Sequence, residues 1–221
     1  MSPSKNGGDK LPKHTFYNLP EEKKDTLIDA AKKEFSRVPL FEASISNIVK
    51  VAKIPRGSFY QYFEGKEDVF FYLLEKRTED MNKKFIAILR QNKGDLFKAF
   101  LEVFKHLLYD FKNPENRNFF KHTFLNMNHE IEIIFYKMFH ENKREDDLTS
   151  INAILDKEKL NIENEYELPH VMQILKIVTV QNLIQNFAKE ISFEKAIEKY
   201  ELEINLLKNG LYKDKSSYFI E

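Results

Sequence analysis

Between Ser44 and Lys66 the chain reads SISNIVKVAKIPRGSFYQYFEGK. Apolar side chains recur there at helical spacing: Ile45, Ile48, Val49 and Ala52, then Phe59 and Phe63. This leaves Ser46, Arg56, Ser58, Gln61 and Tyr62 facing outward. Hydroxyl, guanidinium, amide and phenol groups make directed hydrogen bonds. They form no nucleophile–base pair and no metal-ligand spacing, so they suit recognition rather than bond-making. Enzyme motifs are missing elsewhere too. His129-Glu130 and His140-Glu141 are not completed to HExxH, and neither GxSxG nor GxGxxG occurs. Gly65-Lys66 is followed by Glu67, and Tyr60 stands where a phosphate-binding P-loop needs its first glycine. His106, His122, His129, His140 and His170 make no tight ligand pair with carboxylates on one face. Neither catalysis nor a metal or other cofactor is expected.

These residues must be positioned by two short helices and a tight turn. Ser44 is a good N-cap residue, whose hydroxyl is expected to take an orphan amide of a helix starting at Ile45. Ala52-Lys53-Ile54 is long enough only for a turn, and Pro55 suits the first position of the next helix. Two helices joined this way form a helix-turn-helix, which lays its second helix in the DNA major groove. Charge agrees with that partner. Formal net charge is zero over the chain, yet residues 1–77 hold 14 basic and 11 acidic side chains, and the remainder 21 and 24. The basic excess sits around the motif, where Lys50, Lys53, Arg56 and Lys66 face Glu64 alone.

Ser58-Phe59-Tyr60-Gln61-Tyr62-Phe63, followed after a short gap by Lys66, resembles the signature of the TetR family of transcriptional repressors. The helix KKDTLIDAAKKEF, ending in an aromatic and followed by a loop to Ser44, also fits, so the resemblance spans roughly residues 20 to 75. The chain departs from the pattern twice. Lys53 stands where the family has glycine in the turn, at about 1–2 kcal/mol if that backbone is left-handed. Pro55 replaces a capping Ser or Thr and offers no side-chain oxygen. The resemblance implies that Ser44, Tyr60 and Lys66 grip phosphates, which positions the protein without reading sequence. It implies that Ser46, Arg56, Ser58, Gln61 and Tyr62 face base edges. Arg56 has the geometry for guanine O6 and N7, and Gln61 for adenine. Gly57, with no side chain, lets the helix approach the groove floor.

The 221 residues suit one large or two smaller domains, and 6 Gly and 7 Pro favour an all-α fold over sheets. No cysteine is present, which suits a cytoplasmic location, and no apolar run reaches the length of a membrane span. MSPSKNGGDKLPKH lacks an apolar core and is not expected to be a signal peptide. Residues 1–18 read as a flexible tail, 19–65 as the DNA-binding domain, and 66–221 as a larger helical domain. Within the last, patterns point to helices from Gly65 to about Asn92, from Asp95 to Asn113, from about Asn116 to Asn142 with a break near Asn126–Asn128, weakly from Leu148 to Leu160, from Leu168, and from Ser192. The segment around Val171 to Phe187 is apolar nearly all round, so it needs cover on two sides. A second subunit is the simplest cover, and the resemblance implies a homodimer through the two C-terminal long helices. Clustered aromatics suggest a cavity for a small apolar ligand, with Phe104, Phe120, Phe124, Phe135, Phe139, His170 and Ile177 as lining residues. The resulting expectation is a dimeric repressor released from a palindromic operator by that ligand. The alternative is a helical protein-interaction module without a ligand switch.

Overall fold

The computed structural model describes residues 12–127, 129, 131 and 151–210. All regular structure among them is helical. The chain divides into two compact units, one from residues 1–83 and 109–142, the other from 84–108 and 143–221. Residues 114–125 pack against residues 21–37, so the first unit takes in residues beyond the border expected at residue 65.

The first unit begins where a flexible tail was expected. Helix α1, His14–Tyr17, is short but anchored by Phe16, which is 0% exposed. Its ring lies 5.0 Å from Phe63 and 5.3 Å from Tyr72. Over residues 14–17 the tail expectation does not hold, because a single aromatic in a polar stretch has no period to reveal the helix. Pro20 is the N-cap of α2, Glu21–Arg37, with Glu21 and Glu22 in its positive first turn. The face carrying Leu27, Ala30, Ala31 and Phe35 is buried. Phe41 is 66% exposed in the loop that follows.

Helix α3, Ile45–Ala52, buries Ile48, Val49 and Ala52. Lys53 ends it at φ 54°, ψ 40°, the left-handed conformation that glycine adopts without steric cost. Helix α4, Arg56–Tyr62, buries Phe59, with Phe63 buried just beyond. Pro55 is its N-cap, in extended backbone, rather than its first helical residue. Helix α5, Lys66–Gln91, starts with Asp68 accepting the Glu64 N–H at 2.7 Å. Helix α7, Pro114–Leu125, is capped by Asn113, whose side chain accepts the Asn116 N–H at 3.1 Å. It docks on α2: Ser36 Oγ donates to the Glu115 carbonyl at 2.9 Å, and Lys32 pairs with Glu115 at 3.1 Å. The rings of Phe35, Phe70 and Phe119 meet in series, edge to face at 5.1 Å between the first two and tilted at 5.6 Å between the last two.

In the second unit Gly94 stops α5 at φ 78°. A Cβ there would lie 2.3 Å from the Ile154 carbonyl oxygen, so only glycine fits. Asp95 caps α6, Leu96–Asp110, by accepting the Lys98 N–H at 3.1 Å. Helix α8, Leu168–Lys189, pairs with α9, Phe193–Asn209, which is capped by the Ser192 side chain. Thr179 Oγ1 and Tyr200 Oη share a buried hydrogen bond of 2.7 Å between them. On α8 the residues Ile174 and Ile177, three apart on one face, are 50% and 54% exposed. Among the described residues, no helix is long and apolar enough to cross a membrane.

Candidate nucleic-acid interface

The surface is built on α3 and α4, and a buried acid holds their scaffold. Glu34 of α2 is only 5% exposed. Its Oε1 accepts the Ser44 N–H at 2.9 Å, Asn47 Nδ2 at 3.1 Å and Arg37 Nη2 at 2.8 Å, and its Oε2 accepts Arg37 Nε at 3.0 Å. Burial alone would raise its pKa. The hydrogen bonds from Arg37, Ser44 and Asn47 outweigh that and hold the carboxyl below the ordinary range. The carboxylate therefore pins α2 to the positive end of α3. Ser44 is the N-cap residue, as expected, but its hydroxyl makes no cap bond. The Asn47 N–H bonds the Ser44 carbonyl at 3.1 Å instead. Sequence reading missed Glu34. The available signal was an acid placed on the inward face, three residues after Ala31.

Three of the expected contact residues converge. Arg56 Nη1 donates to Ser46 Oγ at 2.8 Å and Nη2 to Tyr60 Oη at 3.2 Å. The guanidinium carbon lies 5.8 Å from the Tyr60 ring centroid. All three side chains are exposed, so the cluster joins the first turn of α4 to α3 across an open face. A guanidinium has five N–H donors, and two such bonds leave others for an outside acceptor. Gly57, beside Arg56, is exposed, and a Cβ on it would meet nothing within 4 Å. Gln61 is exposed, while Ser58 and Tyr62 are half-buried.

Lys66 is committed inward. Its ammonium donates to the Phe41 carbonyl at 2.8 Å and to that of Ala43 at 3.0 Å. A lysine at the positive end of α5 is thus explained by two backbone oxygens at the approach to α3. One of its three N–H donors remains.

The described members of the expected ligand set are divided between the two units. Phe104 is fully buried and stacked 4.0 Å from Tyr200, which is close packing rather than a cavity wall. His170 and Ile177 are exposed on α8. Phe120 and Phe124 stack at 6.1 Å in the first unit. Phe135 and Phe139 lie outside the described residues. The first unit also has an open groove of about 130 Å³ lined by Leu40, Phe41, Phe70, His122 and Ile131, among others. None of these belongs to the expected set, and the volume is below the roughly 300 Å³ of drug-sized sites.

Comparison with known proteins agrees with the motif. Residues 27–73 match the family model "Bacterial regulatory proteins, tetR family", and residues 95–211 match "Tetracyclin repressor-like, C-terminal domain". The HTH-type transcriptional regulator AcrR of Shigella flexneri is 25% identical over 117 residues, 53% of this chain and 50% of that protein. The HTH-type transcriptional regulator HbdR of an Aromatoleum strain is 39% identical over 61 residues, 28% of this chain and 27% of that protein. The chain thus spans half or less of the length of these relatives. Among solved structures, the fatty acid degradation regulator FadR of Bacillus halodurans aligns with TM-score 0.62 and 18% identity over 85% of this chain and 99% of that one. A regulator from Streptomyces coelicolor aligns with TM-score 0.62 and 20% identity over 86% and 81%. At these identities the structures show a shared fold. The relatives are transcriptional regulators, not enzymes. With one family model covering the helix-turn-helix and another covering more than half of the chain, the protein belongs to the TetR family of transcriptional regulators.

Proposed function

We propose that this chain is a cytoplasmic, dimeric repressor that reads a palindromic DNA operator through α4 and leaves it when a small apolar ligand binds. The observation that carries the reading is the exposed Ser46–Arg56–Tyr60 cluster beside Gly57. A guanidinium oriented by two hydroxyls, next to a residue with no side chain, suits close approach to base edges. Ser58, Gln61 and Tyr62 flank it on α4. Ser44 and the remaining donor of Lys66 serve phosphates. The half-exposed Ile174 and Ile177 support pairing of two chains through α8 and α9. Two chains related by a two-fold axis present two α4 helices, so the operator is an inverted repeat. The rings of Phe111, Phe120 and Phe124 support an apolar ligand class in the first unit. Binding would shift the population toward a conformer unable to span both half-sites.

The test is selection of bound sequences from random duplex DNA by the full chain. The expected product is an inverted repeat. A selected site without dyad symmetry contradicts the dimeric architecture. A thermal-shift screen of apolar compounds then tests the ligand. The releasing ligand should raise the melting temperature and weaken operator binding, and operator DNA should weaken its binding by the same factor. A compound that stabilises the protein yet leaves operator affinity unchanged contradicts the ligand switch.

A further inference from the structure

We propose that Lys13 and Thr15 are positioning residues of the reading surface, fixing the last turn of α4 and so the placement of Tyr60 and Arg56. This rests on the reading of α4 as the recognition helix. That helix has seven residues, far below the length at which an isolated helix holds together in water. Its last four carbonyls have no partner inside the helix. The Phe63 N–H takes that of Phe59 at 2.9 Å. The other three are taken by the segment preceding α2. Lys13 Nζ donates to the Tyr60 carbonyl at 2.9 Å, the Thr15 hydroxyl donates to that of Gln61, and the Lys13 N–H donates to that of Tyr62 at 2.8 Å.

These bonds do more than fill orphan acceptors. Tyr60, Gln61 and Tyr62 are residues of the reading face, and an ammonium at the carbonyl end of a helix complements its dipole. The chain of contacts is continuous. Phe16, buried between Phe63 and Tyr72, anchors the segment. The segment holds the Tyr60 backbone, the Tyr60 hydroxyl accepts from Arg56, and Arg56 donates to Ser46. Loss of the two side-chain donors frees the last turn to fray and releases Arg56 from one of its supports.

The test uses full-length Thr15→Val, which keeps charge and nearly keeps shape, with Thr15→Ser as the rescue variant and Lys13→Met as a second removal. Two quantities are read: amide exchange of residues 60–63, and affinity for the selected operator against affinity for non-specific duplex at the same salt. Thr15→Val should speed exchange at these amides and weaken operator binding about two- to twelvefold, the worth of the one hydrogen bond it removes. Non-specific affinity should not move, because no charge has changed. Thr15→Ser should restore both quantities. Unchanged exchange and operator affinity in both Thr15→Val and Lys13→Met would overturn the proposal. So would equal loss on operator and non-specific DNA with Thr15→Val, which signals unfolding rather than misplacement. If the wild-type chain prefers no duplex, the recognition reading fails, while the exchange measurement still decides whether this segment holds α4.

Discussion

Arg56 and Glu34 carry the account at the scale of single residues, one by facing outward and one by being buried. Arg56 is held by Ser46 and Tyr60 with donors to spare. Arg56→Ala should weaken binding by about 1–3 kcal/mol and relax preference at one base pair per half-site. Repeating the DNA selection with the variant checks this; an unchanged base preference would make Arg56 a phosphate contact only. Glu34 predicts a pH dependence whose sign follows from its environment. Its folded pKa lies below its unfolded value. It therefore contributes stability above the ordinary carboxylate pKa, and that contribution fades as pH falls through the lowered folded value. Glu34→Gln should cost about 2–3 kcal/mol at neutral pH, the range for hydrogen bonds to a charged group. The variant's melting temperature should also converge on the wild type's in acid. A constant gap between the two melting curves at all pH values would contradict this. Arg56 was legible in the sequence because its neighbours show a helical period. Glu34 was not, since an inward acid looks like any acid until its partners from α3 arrive.

At the scale of elements, the turn between α3 and α4 is strained. Lys53 occupies a left-handed conformation, and its N–H and that of Ile54 close the end of α3 on the Lys50 and Val49 carbonyls at 3.4 and 3.1 Å. Lys53→Gly should relieve the strain at the expense of a floppier unfolded chain, for a net gain of about 0.5–1 kcal/mol. Chemical denaturation measures it, and a destabilised variant would show that the Lys53 side chain contributes something its exposed position does not suggest. The helices themselves were readable, because α2, α3, α5, α8 and α9 each show a clear period and a recognisable stop. Gly94, Asp95 and Ser192 were placed correctly for the same local reasons. Helix α1 was not readable. Its stability comes from Phe16 meeting Phe63 and Tyr72, some fifty residues away in sequence, which local pattern does not encode. The exposed Phe41 is the converse case, an apolar residue with no element to pack it.

At the scale of the molecule, α8 leaves Ile174 and Ile177 half exposed, and the account assigns that face to a second copy of the chain. Ile177→Glu should raise the dimer dissociation constant by about a hundredfold, since the two-fold axis doubles the loss of apolar burial. Light scattering across a concentration series checks this, and a variant that dimerises as tightly as the wild type would move the interface elsewhere. The expected ligand residues were the least legible part of the sequence. Phe104 shows why: a buried ring reads the same whether it lines a cavity or stacks on Tyr200. The central claim is sequence-specific recognition of duplex DNA by α4. Its most direct test is a binding titration of the full chain, at one fixed salt concentration, against two duplexes of equal length. One carries the selected inverted repeat and the other has both half-sites scrambled. Affinity for the repeat should exceed that for the scrambled duplex by about a thousandfold or more. Equal affinity for the two would leave only electrostatic attachment, and would contradict the claim.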